Sequence, residues 1–251
     1  MPTFVHGKGT AVYLDKYDLS GFFNSVDTSF SMDVAETTSF GSSAKSYIPG
    51  LEDGTLSLSG LYSQDTDGVD DVLSTALATA TTPLVTVVFS AGTIGNKAIV
   101  AKAHETSYGI SNPVGDVASV SAEFNASTDA TANVTYGIRT GVILTDGSSI
   151  AHGSLGNLAA VDNGAATSAG AFANLHVSAN TISGGATTIK IQSSADNLSW
   201  ADLITFTAVS ASTTTSEQKA VTGTVARYLR ATASTAGSSG AITFHVSIAR
   251  F

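Results

Sequence analysis

Residues 36–62 read E-T-T-S-F-G-S-S-A-K-S-Y-I-P-G-L-E-D-G-T-L-S-L-S-G-L-Y, two kinds of chain in succession. Thr37 to Pro49 is polar and small-sided apart from Phe40 and Tyr47, the composition of a long loop with two aromatic anchors. After Pro49-Gly50 the run Thr55-Leu56-Ser57-Leu58-Ser59 alternates at period two, which predicts a strand with one buried and one wet face. A loop of this length feeding a half-buried strand fits a mostly β chain.

Working outward, the same signal returns. Leu84 to Phe89 is a short apolar run after Pro83, and Ile99-Val100-Ala101 sits between Gly95-Asn96 and His104. From Val117 to Ala126, Ala118, Val120, Ala122 and Phe124 share one face while Ser119, Ser121 and Glu123 share the other. One helix interrupts the strands: Val69, Val72, Leu73, Ala76 and Leu77 make a single apolar stripe at helical spacing. Asp67 is the expected N-cap, worth about 1 kcal/mol. Asp70 and Asp71 suit the positive end of the helix dipole, and the end is expected between Thr79 and Pro83.

The 251 residues allow one large β domain or two ordinary ones, and 43% hydrophobic residues suffice for real cores. Only 12% are charged, and the abundance of Gly, Ser, Thr and Ala favours short strands and turns over helices. The absence of cysteine excludes disulfides and thiolate metal sites. The opening M-P-T-F-V-H-G-K-G-T lacks the basic and apolar regions of a secretory signal, and no apolar run reaches a membrane span. A soluble protein made in a cytoplasm, without membrane insertion, is therefore expected.

The net charge of -9 belongs wholly to residues 1–145, and residues 146–251 are neutral. With the turn-rich T-D-G-S-S-I-A-H-G-S between Arg139 and Ser154, this predicts two domains, 1–145 and 146–251. The second repeats a strand-and-turn rhythm over 172–178, 188–193, 203–207, 226–232 and 241–248, which suggests a β-sandwich. Its best-patterned strand is the last, in which Ile242, Phe244, Val246 and Ile248 alternate with Thr243, His245 and Ser247. The segment I-Q-S-S-A-D-N-L-S-W and the later A-R-Y-L-R-A are similar to elements of jelly-roll modules, many of which bind sugars, with Asn197 where a turn glycine is usual. Trp200 is read either as a cap on the sandwich core or, with Asp196 and Asn197, as a glycan contact.

No catalytic constellation emerges. The five histidines are scattered singly, outside any metal-binding spacing. Gly92-Thr93-Ile94-Gly95 lacks the lysine and hydroxyl of a phosphate loop. The acids from Asp65 to Asp71 lack the closing glutamate of a calcium loop and run straight into the helix, so capping explains them better.

The stretch 36–62, with the upstream G-T-A-V-Y-L-D-K-Y-D-L-S-G-F-F-N-S-V of residues 9–26 and the helix from Asp67 to Thr79, resembles the major tail tube protein of long-tailed, siphovirus-type bacteriophages over roughly the first 145 residues. The resemblance implies a mainly β fold, a tail-tube sandwich or barrel with one covering helix, followed here by a jelly-roll or Ig-like sandwich. It implies a structural protein, not an enzyme, without cofactor or metal, that assembles in the host cytoplasm into hexameric rings stacked as a virion tail tube. Thr37, Phe40, Lys45, Tyr47 and Pro49 would form the loop that crosses to neighbouring subunits. Tape-measure, tail terminator and tail-tip proteins would be partners, and viral DNA would pass through an acidic lumen without specific binding. A host-surface glycan is a further expected partner of the second domain. The rival readings are a carbohydrate-binding adhesin and a secretion-system tube protein.

Overall fold

The computed structural model of the protein describes residues 6–41, 43–127 and 137–251, with the backbone alone for Leu51 and Glu52. Its strands are Ala11–Leu14 (β1), Tyr17–Asp18 (β2), Phe23–Glu36 (β3), Tyr47–Leu61 (β4), Leu84–Val88 (β5), Lys97–Ser111 (β6), Ser119–Ala126 (β7) and Ile138–Ile143 (β8). They continue with Ser149–Ala151 (β9), Val161–Asp162 (β10), Ala171–Asn180 (β11), Thr187–Ser194 (β12), Ala201–Thr205 (β13), Thr215–Val221 (β14), Tyr228–Thr235 (β15) and Ala241–Arg250 (β16). Val69–Thr79 is the helix α1. The fold is mainly β, as the composition predicts.

Two compact units divide the chain: Met1–Gly21, Pro83–Ala101 and Arg139–Phe251 form one, Phe22–Thr82 and Lys102–Ile138 the other. The boundary expected at 145/146 thus falls inside the first unit. Backbone pairing explains the difference: β16 pairs with β8 through Ser247 with Ile143 and Ile248 with Val142, and Leu144 N–H donates to the Val246 carbonyl. A charge boundary in sequence does not respect such ladders.

In the first unit a sheet runs β14-β11-β16-β8-β6-β5-β1-β2, with β9 on β16, and a second sheet runs β10-β15-β12-β13. Ile189 and Ile191 of β12 and Leu229 and Ala231 of β15 turn inward at period two and join Leu175, Val177, Phe244 and Val246 in one apolar cluster. The alternation of β16 does not separate a buried face from a wet one, because His245 and Ser247 are buried like the apolar residues beside them. β16 is a central strand covered on both faces, and alternation marks a half-exposed strand only.

In the second unit β3, β4, β7 and the later part of β6 form an antiparallel sheet. Leu56, Leu58, Val120, Ala122 and Phe124 are buried on one face, as the alternation predicts, and Val69, Val72, Leu73 and Ala76 are the buried stripe of α1. Asp70 ties the helix to this face by accepting the hydroxyls of Tyr62 and Tyr108. The N-cap is Gly68, not Asp67. Asp67 is itself in the left-handed region at φ 59°, which an N-cap residue, extended in backbone, does not adopt. The helix ends at a left-handed Ala80, inside the expected interval.

Candidate assembly surface

The sheet of the second unit has two chemically opposite faces, set by register. On one, Val26 lies opposite Leu58 and Thr28 opposite Leu56, and the row continues along the hairpin with Phe30 opposite Gly54, Met32 opposite Glu52 and Val34 opposite Pro49. The alternation that buries Leu56 and Leu58 therefore runs on past the core. Phe30 is 49% exposed, Met32 48% and Val34 61%. Apolar side chains that share a face with a core, yet lie bare, form a patch of the kind that marks an interaction site.

The other face is hydroxyl and acid. Its cross-strand rows are Ser25-Ser59-Ser121-Gly109, Asp27-Ser57-Glu123-Ser107 and Ser29-Thr55-Asn125-His104, with Ser31 beside Asp53. These rows contain carboxylates and no lysine or arginine. A shallow hollow of about 280 Å³ on this side is lined by Asn24, Ser59, Ser119 and Ser121 and holds no charged group. Among the described residues no group of three or more histidines or carboxylates is placed to hold a metal.

Among the described residues the sheet is also open at its edges: β3 pairs with β4 alone, and the Thr106–Ser111 end of β6 pairs only with β7. β3 is 14 residues long and contains neither proline nor lysine, the usual devices that blunt an edge. Two register irregularities interrupt it, one between Met32 and Val34 and one at Asn24 near its start. There the Phe22 carbonyl comes so near Gly60 that a Cβ would stand 2.2 Å from it, so glycine is required.

The expected loop from Thr37 to Pro49 is shorter than the composition implies. Tyr47, Ile48 and Pro49 are the start of β4, paired with Glu36, Ala35 and Val34. What remains is a hairpin tip closed from within: Thr37 N–H donates to the Ser46 carbonyl at 2.8 Å, Ser46 N–H donates to Thr38 Oγ1, and Lys45 pairs with Glu36 at 3.0 Å. Polar composition hides the strand here because backbone pairing, not side-chain burial, orders these residues. Thr37, Lys45 and Tyr47 are thereby brought together, Pro49 lies further down the ladder, and Phe40 stands fully exposed. The sequence reading missed Phe30, Met32 and Val34, whose period-two spacing was available as a signal.

The second set of expected contacts lies in the first unit. Asp196 Oδ1 accepts the N–H groups of Leu198 and Ser199 and the Ser194 hydroxyl. These bonds hold its carboxyl down at about 2, and they make it a turn-former. Asn197 occupies the left-handed position at φ 61°, which asparagine tolerates better than most residues. Trp200 is half-buried, with the Arg230 guanidinium 4.1 Å from its ring centre. That guanidinium donates to Gln192, which donates in turn to Asp202, itself bound to Lys190.

No family model and no curated protein matches the chain. Among solved structures it is similar to a chain of the native gene transfer agent virion, at 16% identity and TM-score 0.43, covering 49% of this chain and 95% of that one. It is similar to the SPP1 tail tube at 10% identity and TM-score 0.42, covering 49% and 75%. It is similar to the SPP1 Dit protein, of a hub adsorption apparatus in phages that infect Gram-positive hosts, at 9% identity and TM-score 0.33, covering 90% and 98%.

Proposed function

We propose that the protein is a structural subunit that closes into rings and stacks into a tail tube. The observation that carries the reading is the four-stranded sheet of the second unit, open at both edges and bearing an apolar stripe bare from Phe30 to Val34. An edge of this length is an aggregation hazard in a monomer and an asset in a ring, where each copy's β3 edge meets the next copy's β6 and no edge remains. In a head-to-tail contact of this kind closure is what separates a ring from a filament.

The same closure assigns the faces. The polar rows turn inward, so carboxylates and hydroxyls line a lumen that repels DNA phosphates and lets viral duplex slide instead of holding it. The apolar stripe turns outward to be covered. The hairpin tip, with Phe40 and Tyr47, reaches a neighbouring subunit or ring, and ring symmetry is sixfold. Tape-measure, terminator and tail-tip proteins complete the tail, which assembles in the host cytoplasm. Residues 146–251 ride outside, where the exposed side of Trp200 and the turn at Asp196 and Asn197 offer a glycan contact. No catalytic role is assigned.

Negative-stain microscopy of the purified protein tests this directly. Rings or tubes are expected; a monodisperse monomer at all concentrations would refute the reading. A reconstruction with the Asp27 and Glu123 rows outside the lumen would refute the assignment of faces.

A further inference from the structure

Inside the first unit, where residues 146–251 meet β1 and β5, a set of polar contacts lies beside the small apolar cluster of Ala11, Tyr13, Val88, Ala98 and Ile143. Asn174 of β11 donates to the Ala101 carbonyl at 3.0 Å and accepts from Gln218 of β14 at 2.9 Å. Ser216 of β14 donates to the Asp15 carboxylate, which also accepts the Leu84 N–H. His176 of β11 lies 2.8 Å by Nε2 from the Thr86 hydroxyl of β5 and bonds by Nδ1 to the Asp15 carbonyl. Tyr13 of β1 stacks on His245 of β16 at 4.4 Å between ring centres and on His176 at 5.8 Å. The apolar cluster of the sandwich lies apart from this seam and includes none of these residues.

The hydrogen-bond pattern suits neutral imidazoles. A carbonyl accepts, so His176 carries its proton on Nδ1 and Nε2 must accept from Thr86. Thr86 Oγ1 in turn is within reach of the Ser247 hydroxyl at 3.2 Å and Asn174 Nδ2 at 3.4 Å, so a proton on Nε2 would crowd it with donors. His245 has Nδ1 at 3.3 Å from the Thr145 hydroxyl, while its buried Nε2 has no partner among the described residues. A second charge would stand one ring away, since the two imidazole centres are 6.4 Å apart. The ionisable groups around the pair are Tyr13, Asp15, Asp18 and Asp146. Asp15 is engaged by Leu84 and Ser216, and the side chain that feels Asp18 and Asp146 is Tyr13.

We propose that this polar seam is an acid-operated joint: protonation of His176 and His245 releases the sandwich of residues 146–251 from β1 and β5 while the sandwich's own apolar core stays folded. Burial holds His176 down at about 4 and, with the neighbouring imidazole, His245 at about 3. Opened to water, both titrate near the ordinary histidine value of about 6.5. The open form therefore binds more protons below that value, and acid favours it. The joint is closed at neutral pH and opens as pH falls from 6.5 towards 4. A seam rich in polar groups suits such a device, because water satisfies the amides, hydroxyls and imidazoles that it exposes.

The test is an acid titration of the full chain, read by near-UV tyrosine dichroism, with Tyr13→Phe identifying the Tyr13 signal, and by hydrogen-exchange protection. The Tyr13 signal is expected to be lost between pH 6 and 4 while amides of β12 and β15 stay protected. The double variant His176→Gln, His245→Phe, which keeps a ring against Tyr13, should lower the midpoint by about one pH unit or more. An unchanged midpoint, or loss of β12 and β15 protection together with the Tyr13 signal, would overturn the proposal. Should the double variant fail to fold, imidazole NMR of the wild type decides: both rings neutral at pH 5.5 sustain the joint, and a ring titrating near 6.5 in the closed chain sinks it.

Discussion

Glu105 is the residue whose environment is furthest from its chemistry. It lies on β6 opposite Phe124, on the buried face of the second unit's sheet, and neither carboxyl oxygen has a hydrogen-bond partner among the described residues. Burial pushes its pKa up to about 8, so the folded chain keeps the proton at neutral pH. The sign follows from linkage. Below about pH 4.5 folded and unfolded chains are both protonated; above it the unfolded chain releases a proton that the folded chain retains until about 8. Stability then falls with rising pH by up to about 1.4 kcal/mol per unit. Glu105→Met removes the titration, so in urea unfolding its stability advantage over wild type should be larger at pH 8 than at pH 5. Equal differences at the two pH values would show that the carboxyl is solvated. Nothing in the sequence set Glu105 apart from Ser119, Ser121 and Glu123, which do face water. A bulge between Glu105 and Ser107 shifts the alternation of β6, and bulges of this kind leave no local signature in composition.

At the scale of elements, the β3–β4 hairpin carries the assembly reading, and two neighbouring positions on β3 separate its faces. Phe30 belongs to the bare apolar stripe and Ser29 to the polar face. Phe30→Asp should therefore abolish rings in negative stain while leaving the monomer's circular dichroism unchanged, since half the side chain is already in water. Ser29→Asp, an equal added charge on the opposite face, should leave rings intact. Rings surviving Phe30→Asp but not Ser29→Asp would reverse the assignment of faces. The strands that were legible, such as β7 and β12, bury one face and so write period two into the sequence. β3 carries the same period two in Phe30, Met32 and Val34, but its apolar residues stay exposed, so the spacing marks a strand without marking a core face. β14 reads T-S-E-Q-K-A-V and is held by seven paired positions on β11, so its order comes from the partner strand, not from its own pattern. The helix was legible because its stripe is local, whereas the Gly68 cap was not: Asp67 and Gly68 both suit a cap, and only backbone geometry separates them.

For the whole molecule, the charge split located a real chemical change without locating a unit boundary. Residues 146–251 supply both sheets of the sandwich, yet they share a unit with β1, β5 and β8. The apolar cluster of the sandwich draws almost wholly on residues from Val142 to Ile248, with Ile94 packed at its margin, and its contacts with β1 and β5 include the polar ones of the histidine seam. Hydrophobic burial therefore stabilises the sandwich from within, and loss of the seam exposes groups that hydrate readily. A fragment comprising Arg139–Phe251 is expected to fold alone, with cooperative urea unfolding and a dispersed amide NMR spectrum. Within it His176 and His245, freed from Tyr13 and Thr86, should titrate near 6.5 instead of near 4 and 3. A fragment starting at Asp146 loses Val142 and Leu144 from the core and the β8 pairing of β16, and should be less stable by more than the roughly 2–5 kcal/mol that deleting one large buried side chain costs. If Arg139–Phe251 proved unfolded while the intact chain was stable, the seam would be part of the sandwich's folding core, and the two sequence halves would be one cooperative object.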